Sequence, residues 1–202
     1  MSKDPRNLYP TLDRILGRRD KEEFLIQRSK VIWFTGLSGA GKTTLAIGVE
    51  QRLHNFGYFT QILDGDNVRK GICGNLGFSE ADRQENIRRI AEVSKLFLDC
   101  GVITINCFIS PTEEIRQVAR NIIGEHDLIE VFVNAPIEVC EQRDTKGLYK
   151  KARSGQVKNF TGIDSPFDAP ENPDIEVRTD LLSVEEAVEE IFEFILPLVE
   201  YN

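Results

Sequence analysis

The chain has 202 residues, of which 41% are hydrophobic and 29% are charged, and this balance predicts one compact globular domain with a full core. Its formal net charge of −8 argues against a general nucleic-acid or membrane-surface role, because such roles need a broad basic face. An anionic ligand would therefore have to be bound by a local cluster of Lys and Arg.

Cysteine usage and hydropathy indicate the compartment. The four cysteines are far apart and form no C-x-x-C pair, and there are only two histidines, so neither a zinc site nor a disulfide framework is predicted. The N-terminus carries no apolar signal stretch, and no apolar run approaches the ~18 residues that a membrane helix requires. We expect a soluble protein in a reducing compartment, most simply the cytoplasm.

Residues 1–29 mix prolines with charged and apolar residues. This composition predicts a short N-terminal helical extension that packs on the domain or on a partner subunit. Its charge run is interpreted as a solvated face. The domain itself is then expected at residues 30–202.

A strand, a glycine-rich loop and the start of a helix follow one another from residue 31 onward. Residues 36–43 match the pattern G-x-x-x-x-G-K-[ST], and we call them the phosphate loop. Glycines let successive backbone N–H groups point inward, and the dipole of the following helix adds positive potential. Lys42 is expected to reach the β- and γ-phosphates of ATP, and the Thr43 hydroxyl to take one coordination position of Mg²⁺. The predicted ATP-binding residues are Gly36, Leu37, Ser38, Gly39, Ala40, Gly41, Lys42, Thr43 and Thr44.

Strands and helices are predicted to alternate along the rest of the chain. Because parallel strands need crossover helices, this alternation predicts an α/β fold with a five-stranded, mostly parallel sheet and helices on both faces. The further strands are predicted at residues 58–63, 102–108, 128–133 and 175–177, and the later helices are predicted to open at Ser79, Ser110, Pro136 and Ser183.

Two carboxylates directly follow the second strand. In an open parallel sheet, ligands bind at the carboxyl ends of the strands, so Asp64 and Asp66 should converge on the phosphate loop. Phosphoryl transfer uses such a pair, one carboxylate to orient Mg²⁺ through water and one to accept a proton from the acceptor hydroxyl. The alternative is an Asx-Gly turn that leaves the strand, which one aspartate would satisfy.

The charge turns positive between Arg143 and Gly162. This stretch fits a mobile lid, because cations that close over an anionic transition state stabilise it and exclude water. The alternative is a solvated loop. A GTPase is a poorer fit, since the chain has no N-K-x-D tetrad that reads a guanine base. We therefore predict a P-loop kinase domain at residues 30–202 with a lid at about residues 143–162.

Several stretches outside the phosphate loop form a distinctive set. They are LDGDNVR at 63–69, LGFS at 76–79, DRQENIRR at 82–89, FISP at 108–111, KGLYKKAR at 146–153 and NFTG at 159–162. With the phosphate loop they resemble the adenylylsulfate kinase family from about Lys30 to the end of the chain. That family uses ATP to phosphorylate the 3′-hydroxyl of adenosine 5′-phosphosulfate, giving 3′-phosphoadenosine 5′-phosphosulfate and ADP in sulfate assimilation. The resemblance implies ATP as phosphoryl donor, Mg²⁺ as cofactor, and a cytoplasmic homodimer without nucleic-acid or membrane partners.

The resemblance also implies roles for individual residues. Asp66 would draw the proton from the 3′-hydroxyl, and Thr43 and Asp64 would lie near the metal. Two phenylalanines, Phe78 and Phe160, would sandwich the substrate adenine. The phosphosulfate and the ribose would be held by the guanidinium groups of Arg69 and Arg83 and by the side-chain amide of Asn86. The implied catalytic residues are Asp66, Lys42 and Ser110, and the implied substrate-binding residues are Asp66, Arg69, Phe78, Arg83, Asn86, Ile109, Ser110, Lys146, Leu148, Phe160, Thr161 and Gly162.

Ser110 stands where the family is often described with a phosphoserine intermediate. Direct in-line transfer needs no covalent step, and a serine before a proline is an ordinary helix N-cap. We therefore expect Ser110 to cap a helix and to contact the substrate.

Two alternative functions stay open at the level of the sequence. A small P-loop kinase for another hydroxyl acceptor would keep Lys42, Thr43 and Asp66 without requiring both phenylalanines. A catalytically silent ATP-binding module would show no acceptor-dependent ADP release. Two residues depart from the family pattern: Asn75 stands where the family usually has aspartate, and Thr145 stands where it frequently has proline or valine. Because they lie near the substrate loop and the lid, these departures would affect the affinity for the substrate.

Overall fold

In a computed structural model, which describes residue 11 and residues 14–201, a five-stranded sheet lies between two layers of helices. None of the helices in this described part of the chain is long and apolar enough to cross a bilayer. The strands are β1 (Val31–Thr35), β2 (Thr60–Asp64), β3 (Ile103–Cys107), β4 (Leu128–Asn134) and β5 (Ile175–Arg178). The helices are α1 (Arg18–Leu25), α2 (Lys42–Asn55), α3 (Gly65–Val68), α4 (Glu80–Asp99), α5 (Glu113–Ile123), α6 (Ile137–Arg143), α7 (Leu148–Arg153) and α8 (Val184–Val199).

The sheet has the strand order β2-β3-β1-β4-β5, and every neighbouring pair is parallel. The predicted α/β fold is therefore confirmed, with a sheet that is parallel throughout. All five residues of β1 are buried at its centre. Because the phosphate loop leaves the carboxyl end of this central strand, the loop lies in the middle of the edge where ligands bind in such sheets.

Side chains of β1 alternate between two hydrophobic layers, as the pleat of a strand requires. Ile32 and Phe34 belong to the layer that contains α2 and α8. Val31 and Trp33 belong to the layer that contains α4 and α5. A strand that is buried on both faces reads as a continuous apolar run, which is the pattern seen at Val31–Phe34.

Two of the predicted helix starts are confirmed by their caps. The Ser79 hydroxyl accepts a hydrogen bond from the Asp82 N–H at 3.2 Å, and the Ser183 hydroxyl accepts one from the Glu186 N–H at 3.2 Å. The short helices α3 and α7 add to the predicted elements. Helix α3 has four residues and α7 has six, and helices this short show no recognisable helical periodicity in the sequence.

The prediction that Ser110 caps the helix after β3 is wrong. That helix, α5, is capped by Thr112, whose hydroxyl accepts from the Ile115 N–H at 3.4 Å. An N-cap residue needs an extended backbone, which Thr112 has, whereas Ser110 has φ = 45° in the left-handed region. Ser110 therefore belongs to the loop that precedes the helix.

Helix α1 docks at the amino edge of the sheet, opposite the phosphate loop. Arg18 donates to the Asp127 carboxylate at 2.7 Å, and Asp127 directly precedes β4. The Gln27 side chain donates to the Gly101 carbonyl at 2.8 Å, just before β3. The predicted helical extension thus packs on the domain in its described part; residues 1–10, 12 and 13 of the extension lie outside the described residues.

Candidate active site

A cavity of about 680 Å³ opens at the carboxyl edge of the sheet. Its walls are the phosphate loop, the end of β2 with α3, the first turns of α4, the segment after β3, the lid, and the segment from β5 into α8. These six parts of the chain meet there because parallel strands deliver the residues that follow them to the same edge. The volume is typical of a pocket for a small ligand.

Glycine is required in the phosphate loop by its close backbone contacts. Gly39 has φ = 78°, and a Cβ at this position would lie 2.8 Å from the Cys140 carbonyl oxygen. Any other residue would clash with backbone that cannot move away cheaply. The loop can therefore curl tightly against α6 and present its N–H groups to the cavity.

Lys42 folds back over the phosphate loop. Its Nζ donates to the carbonyl oxygens of Gly36 at 2.9 Å and Leu37 at 2.8 Å. Burial lowers the pKa of Lys42 to about 8. A polyphosphate beside this amine would favour the ammonium form, because an opposite charge stabilises the charged state.

A hydroxyl and a carboxylate suited to Mg²⁺ lie directly against each other. The Thr43 hydroxyl donates to Asp64 Oδ2 at 2.8 Å, and Asp64 Oδ1 accepts from the Asp66 N–H at 3.0 Å. Within the described residues no group of three or more His, Cys, Asp or Glu could hold a metal ion. This donor set fits Mg²⁺, which is usually held by one or two protein oxygens, several waters and substrate phosphates.

Asp66 faces the lid. Its carboxylate forms an ion pair with the Lys146 ammonium group, and the two side chains are 67% and 59% exposed. The lid therefore reaches across the mouth of the cavity to α3. Asp66 keeps an exposed carboxylate beside the phosphate loop, which is the place the sequence predicted for a proton acceptor.

An arginine and an aromatic ring stack in the wall of the cavity. The Arg69 guanidinium lies 4.4 Å from the centroid of the Phe78 ring and donates to the Gly77 carbonyl at 2.9 Å. Phe78 is 61% exposed, although it is a large apolar residue. An exposed ring that is held by a cation offers its free face to a flat ligand.

Arg83 joins α4 to the end of the lid. It donates to the Thr161 hydroxyl at 2.6 Å, to the Asn159 carbonyl, and to the Phe78 carbonyl at 3.1 Å. Burial and the neighbouring charge of Arg69 lower the pKa of Arg83. The loop that carries Phe78 and the turn that carries Phe160 are thereby held together.

Asn86 offers an unused acceptor. Its side chain lines the cavity and the residue is buried, yet its Oδ1 has no hydrogen-bond partner among the described residues. A buried polar atom normally has a partner, so an orphaned oxygen at a cavity wall is typical of a ligand-binding group.

Ser110 is buried with its hydroxyl already engaged. Its Oγ accepts a hydrogen bond from the Trp33 indole N–H at 2.9 Å, and its carbonyl accepts from Arg116 at 3.2 Å. These contacts hold the residue in its left-handed conformation. One lone pair and the hydroxyl proton of Ser110 are still available to a ligand in the cavity.

Most of the residues predicted from the sequence line this one cavity. Leu37 and Gly162 instead line a second concavity, and Gly36 lines neither, although its carbonyl accepts a hydrogen bond from Lys42. The predicted residues that line the main cavity are Ser38, Gly39, Ala40, Gly41, Lys42, Thr43, Thr44, Asp64, Asp66, Arg69, Phe78, Arg83, Asn86, Ile109, Ser110, Lys146, Leu148, Phe160 and Thr161.

Two lining regions were not predicted as site residues. Thr179 follows β5 directly, and its hydroxyl donates to the Ala40 carbonyl of the phosphate loop at 2.8 Å. Applying the carboxyl-edge rule to β5 would have found it. Arg143, at the start of the lid, donates to the Thr179 carbonyl at 2.6 Å. Further unpredicted lining residues are Tyr149, Leu182, Ser183, Val184 and Ala187.

Comparisons with known proteins agree with this geometry. The family model described as adenylylsulphate kinase matches residues 28–178. An adenylyl-sulfate kinase of Bacteroides thetaiotaomicron is 58% identical over 197 residues, covering 98% of each chain. The Mycobacterium tuberculosis APS kinase, solved in complex with AMPPNP and APS, matches with a TM-score of 0.81 and 46% identity, covering 84% of this chain and 98% of that one.

A third relative extends the comparison to an assembly. The hexameric APS kinase of Thiobacillus denitrificans matches with a TM-score of 0.65 and 30% identity, covering 87% of this chain and 30% of that chain. The family match spans most of the present chain, and the Bacteroides relative matches it nearly end to end. The chain belongs to the adenylylsulfate kinase family.

Proposed function

We propose that this chain transfers the γ-phosphoryl group of ATP to the 3′-hydroxyl of adenosine 5′-phosphosulfate (APS), giving 3′-phosphoadenosine 5′-phosphosulfate and ADP. The observation that carries the proposal is that one cavity combines a complete phosphate loop with Asp66, two arginines and an exposed aromatic ring. Residues 30–202 would form the catalytic domain, with residues 1–29 as its N-terminal extension.

The donor half of the site would bind ATP through the phosphate loop. Lys42 would move from the carbonyls of Gly36 and Leu37 to the β- and γ-phosphates. Thr43 and Asp64 would hold Mg²⁺, and the ion, when bound, neutralises negative charge on the phosphates. Arg143 and Thr179 would border the nucleotide beyond the loop, where both contact each other and the cavity.

Lys146 would leave Asp66 when the acceptor hydroxyl binds there. Asp66 would then accept the proton of the 3′-hydroxyl as the oxygen attacks the γ-phosphorus in line. A carboxylate suits this step, because the loose transition state of phosphoryl transfer needs positioning more than a strong base. The released Lys146 ammonium group would stabilise the negative charge of the transferred group.

The acceptor half would bind an anion and a flat base. Guanidinium forks of Arg69 and Arg83 suit the phosphosulfate, and the free Oδ1 of Asn86 suits a ribose hydroxyl. Phe78 and Phe160 would stack on the adenine. The remaining contacts would come from Ile109, Ser110, Leu148, Thr161 and Gly162.

We also propose a homodimer in the cytoplasm. The N-terminal segment exposes large apolar side chains, with Phe24 at 85% and Ile26 at 72% exposure, and such surfaces are typical of protein contacts. All four cysteines are free thiols, which is usual for a reducing compartment. Light scattering at defined concentration measures the assembly, and a strictly monomeric protein would contradict the dimer.

The decisive test is ADP release from ATP that depends on the acceptor. We expect release with APS, and little or none with a panel of nucleosides and sugar acids at the same concentration. Preferential turnover of another hydroxyl would identify a different small-molecule kinase. ADP release that no acceptor stimulates would identify a nucleotide-binding module.

A further inference from the structure

Tyr149 is buried in the lid and contacts both halves of the cavity. The residue is 1% exposed. Its hydroxyl donates to the Ser38 carbonyl of the phosphate loop at 2.8 Å, and its ring meets the Phe160 ring at 77° with centroids 4.9 Å apart. We propose that Tyr149 is a positioning residue that couples ATP binding to acceptor binding; this inference rests on the function proposed above.

The position of Tyr149 is set by the lid itself. The two carboxylate oxygens of Asp144 accept the N–H groups of Tyr149 at 3.0 Å and Lys150 at 3.1 Å, which holds the first turn of α7. Gly147, at the N-cap of that helix, has a left-handed backbone with φ = 65°. The Tyr149 ring is therefore carried by a short helix whose first turn is held by Asp144.

The hydrogen bond to Ser38 holds the peptide unit that joins Ser38 to Gly39. A peptide unit is planar and trans, so the Ser38 C=O and the Gly39 N–H point in opposite directions. When Tyr149 holds the carbonyl oxygen on the lid side, the Gly39 N–H is turned away from the lid helix and into the loop. Gly39 is one of the glycines whose amides are expected to cradle a polyphosphate.

The contact with Phe160 links the same tyrosine to the acceptor half. The Asp164 carboxylate accepts the N–H of Asn159 at 2.7 Å and the N–H of Phe160, and these hydrogen bonds stabilise the turn that carries Phe160. An adenine stacked on Phe160 would hold that ring in place. Because the Phe160 ring meets the Tyr149 ring edge-on, it would also limit the movement of Tyr149.

One residue thus touches the elements that bind each substrate. A ligand that fixes Phe160 would fix the Tyr149 ring, keep its hydroxyl on Ser38 and preorganise the Gly39 amide for ATP. By thermodynamic linkage ATP would then raise the affinity for the acceptor by the same factor. Both ligands would then favour the same arrangement of the lid, in which Tyr149 contacts Ser38 and Phe160.

The test compares Tyr149→Phe with Tyr58→Phe in the full chain. Both changes remove one hydroxyl, but Tyr58 precedes β2 at the amino edge of the sheet, away from the cavity. Titration calorimetry with AMPPNP, alone and with saturating APS, gives the affinity and the coupling factor. For Tyr149→Phe we expect AMPPNP binding weaker by roughly three- to ten-fold and a coupling factor that falls toward one, because one hydrogen bond is lost. Tyr58→Phe should match the wild type in both.

Three outcomes would overturn the coupling. They are an unchanged AMPPNP affinity in Tyr149→Phe, a weakened affinity with the wild-type coupling factor, and a wild-type coupling factor of one. The second outcome would leave Tyr149 as a purely structural residue. A wild-type chain that binds no APS would instead refute the proposed function, and the AMPPNP affinity would still decide the role of the Ser38 contact.

Discussion

Lys146 and Asp66 form an ion pair that joins the lid to α3 across the mouth of the cavity. Both side chains are more than half exposed, so water screens the pair and it holds the lid only weakly. An acceptor hydroxyl can therefore replace Lys146 at the Asp66 carboxylate without a large energetic cost. The same exchange would release a cation near the phosphoryl group that is transferred.

Replacing the proposed proton acceptor is expected to abolish most of the turnover. Asp66→Asn keeps the shape of the side chain and removes the carboxylate, so kcat should fall by about 10²- to 10⁴-fold while the KM for APS changes little. APS-dependent ADP release measures both constants. Asp99→Asn, at the far end of α4, is the matched control and should behave as the wild type. Turnover of Asp66→Asn within a few-fold of the wild type would remove Asp66 from the mechanism.

Ser110→Ala is expected to fold and to keep measurable kinase activity. The change leaves the buried Trp33 indole N–H without its acceptor, which should lower the free energy of unfolding by about 1–3 kcal/mol. Thermal denaturation and ADP release measure the two effects. Ser154→Ala, at an exposed residue just after α7, controls for loss of a hydroxyl. A folded Ser110→Ala protein with no turnover would contradict this expectation.

Gly48 of α2 packs closely against Val188 of α8. A Cβ on Gly48 would lie 2.5 Å from Cγ2 of Val188, a buried β-branched side chain that cannot turn away easily. Overpacking costs about 1–3 kcal/mol, and the better helix propensity of alanine returns up to about 1 kcal/mol. We therefore expect Gly48→Ala to lower the free energy of unfolding by about 1 kcal/mol in urea denaturation.

The matched control for Gly48 is Gly71→Ala. Nothing lies within 4 Å of a Cβ at Gly71, and its φ is not in the left-handed region, so the change should be neutral or slightly stabilising. Equal free energies of unfolding for the two variants would show that Val188 moves away from the added methyl group without an energetic cost.

Acid should weaken the attachment of α1. Burial alone would raise the pKa of Glu22, but hydrogen bonds from Ser29 and Arg18 hold that pKa below its ordinary value. A lowered pKa means that the unfolded chain binds a proton more readily than the folded one. The stabilisation by Glu22 is therefore fully present above the ordinary glutamate value of about 4.3 and is lost as the pH falls through the folded value.

Glu22→Gln should lower the free energy of unfolding at pH 7 by about 1–3 kcal/mol, because it replaces a buried charged acceptor. The difference from the wild type should shrink once the pH falls below about 4. Urea denaturation at both pH values measures this, with Glu23→Gln, exposed on the same helix, as the control. A difference that does not depend on pH would contradict the titration of Glu22.

Local pattern in the sequence determined the alternation of strands and helices, the phosphate loop and the pair of aspartates, Asp64 and Asp66, that follows the second strand. These features could be predicted because strand period, glycine spacing and capping residues act within a few positions of the chain. The parallel sheet followed from the same alternation, and it already implied that residues after different strands would meet at one edge.

Tertiary structure decided the contacts that join distant parts of the chain. Ser110 reads as a helix cap in the sequence, yet its hydroxyl binds the Trp33 indole, 77 residues away. Tyr149 carries no signal of its own, and its partner Ser38 lies 111 residues away. Such pairs depend on how the lid and the strands pack in three dimensions, and residue spacing along one chain holds no record of that packing.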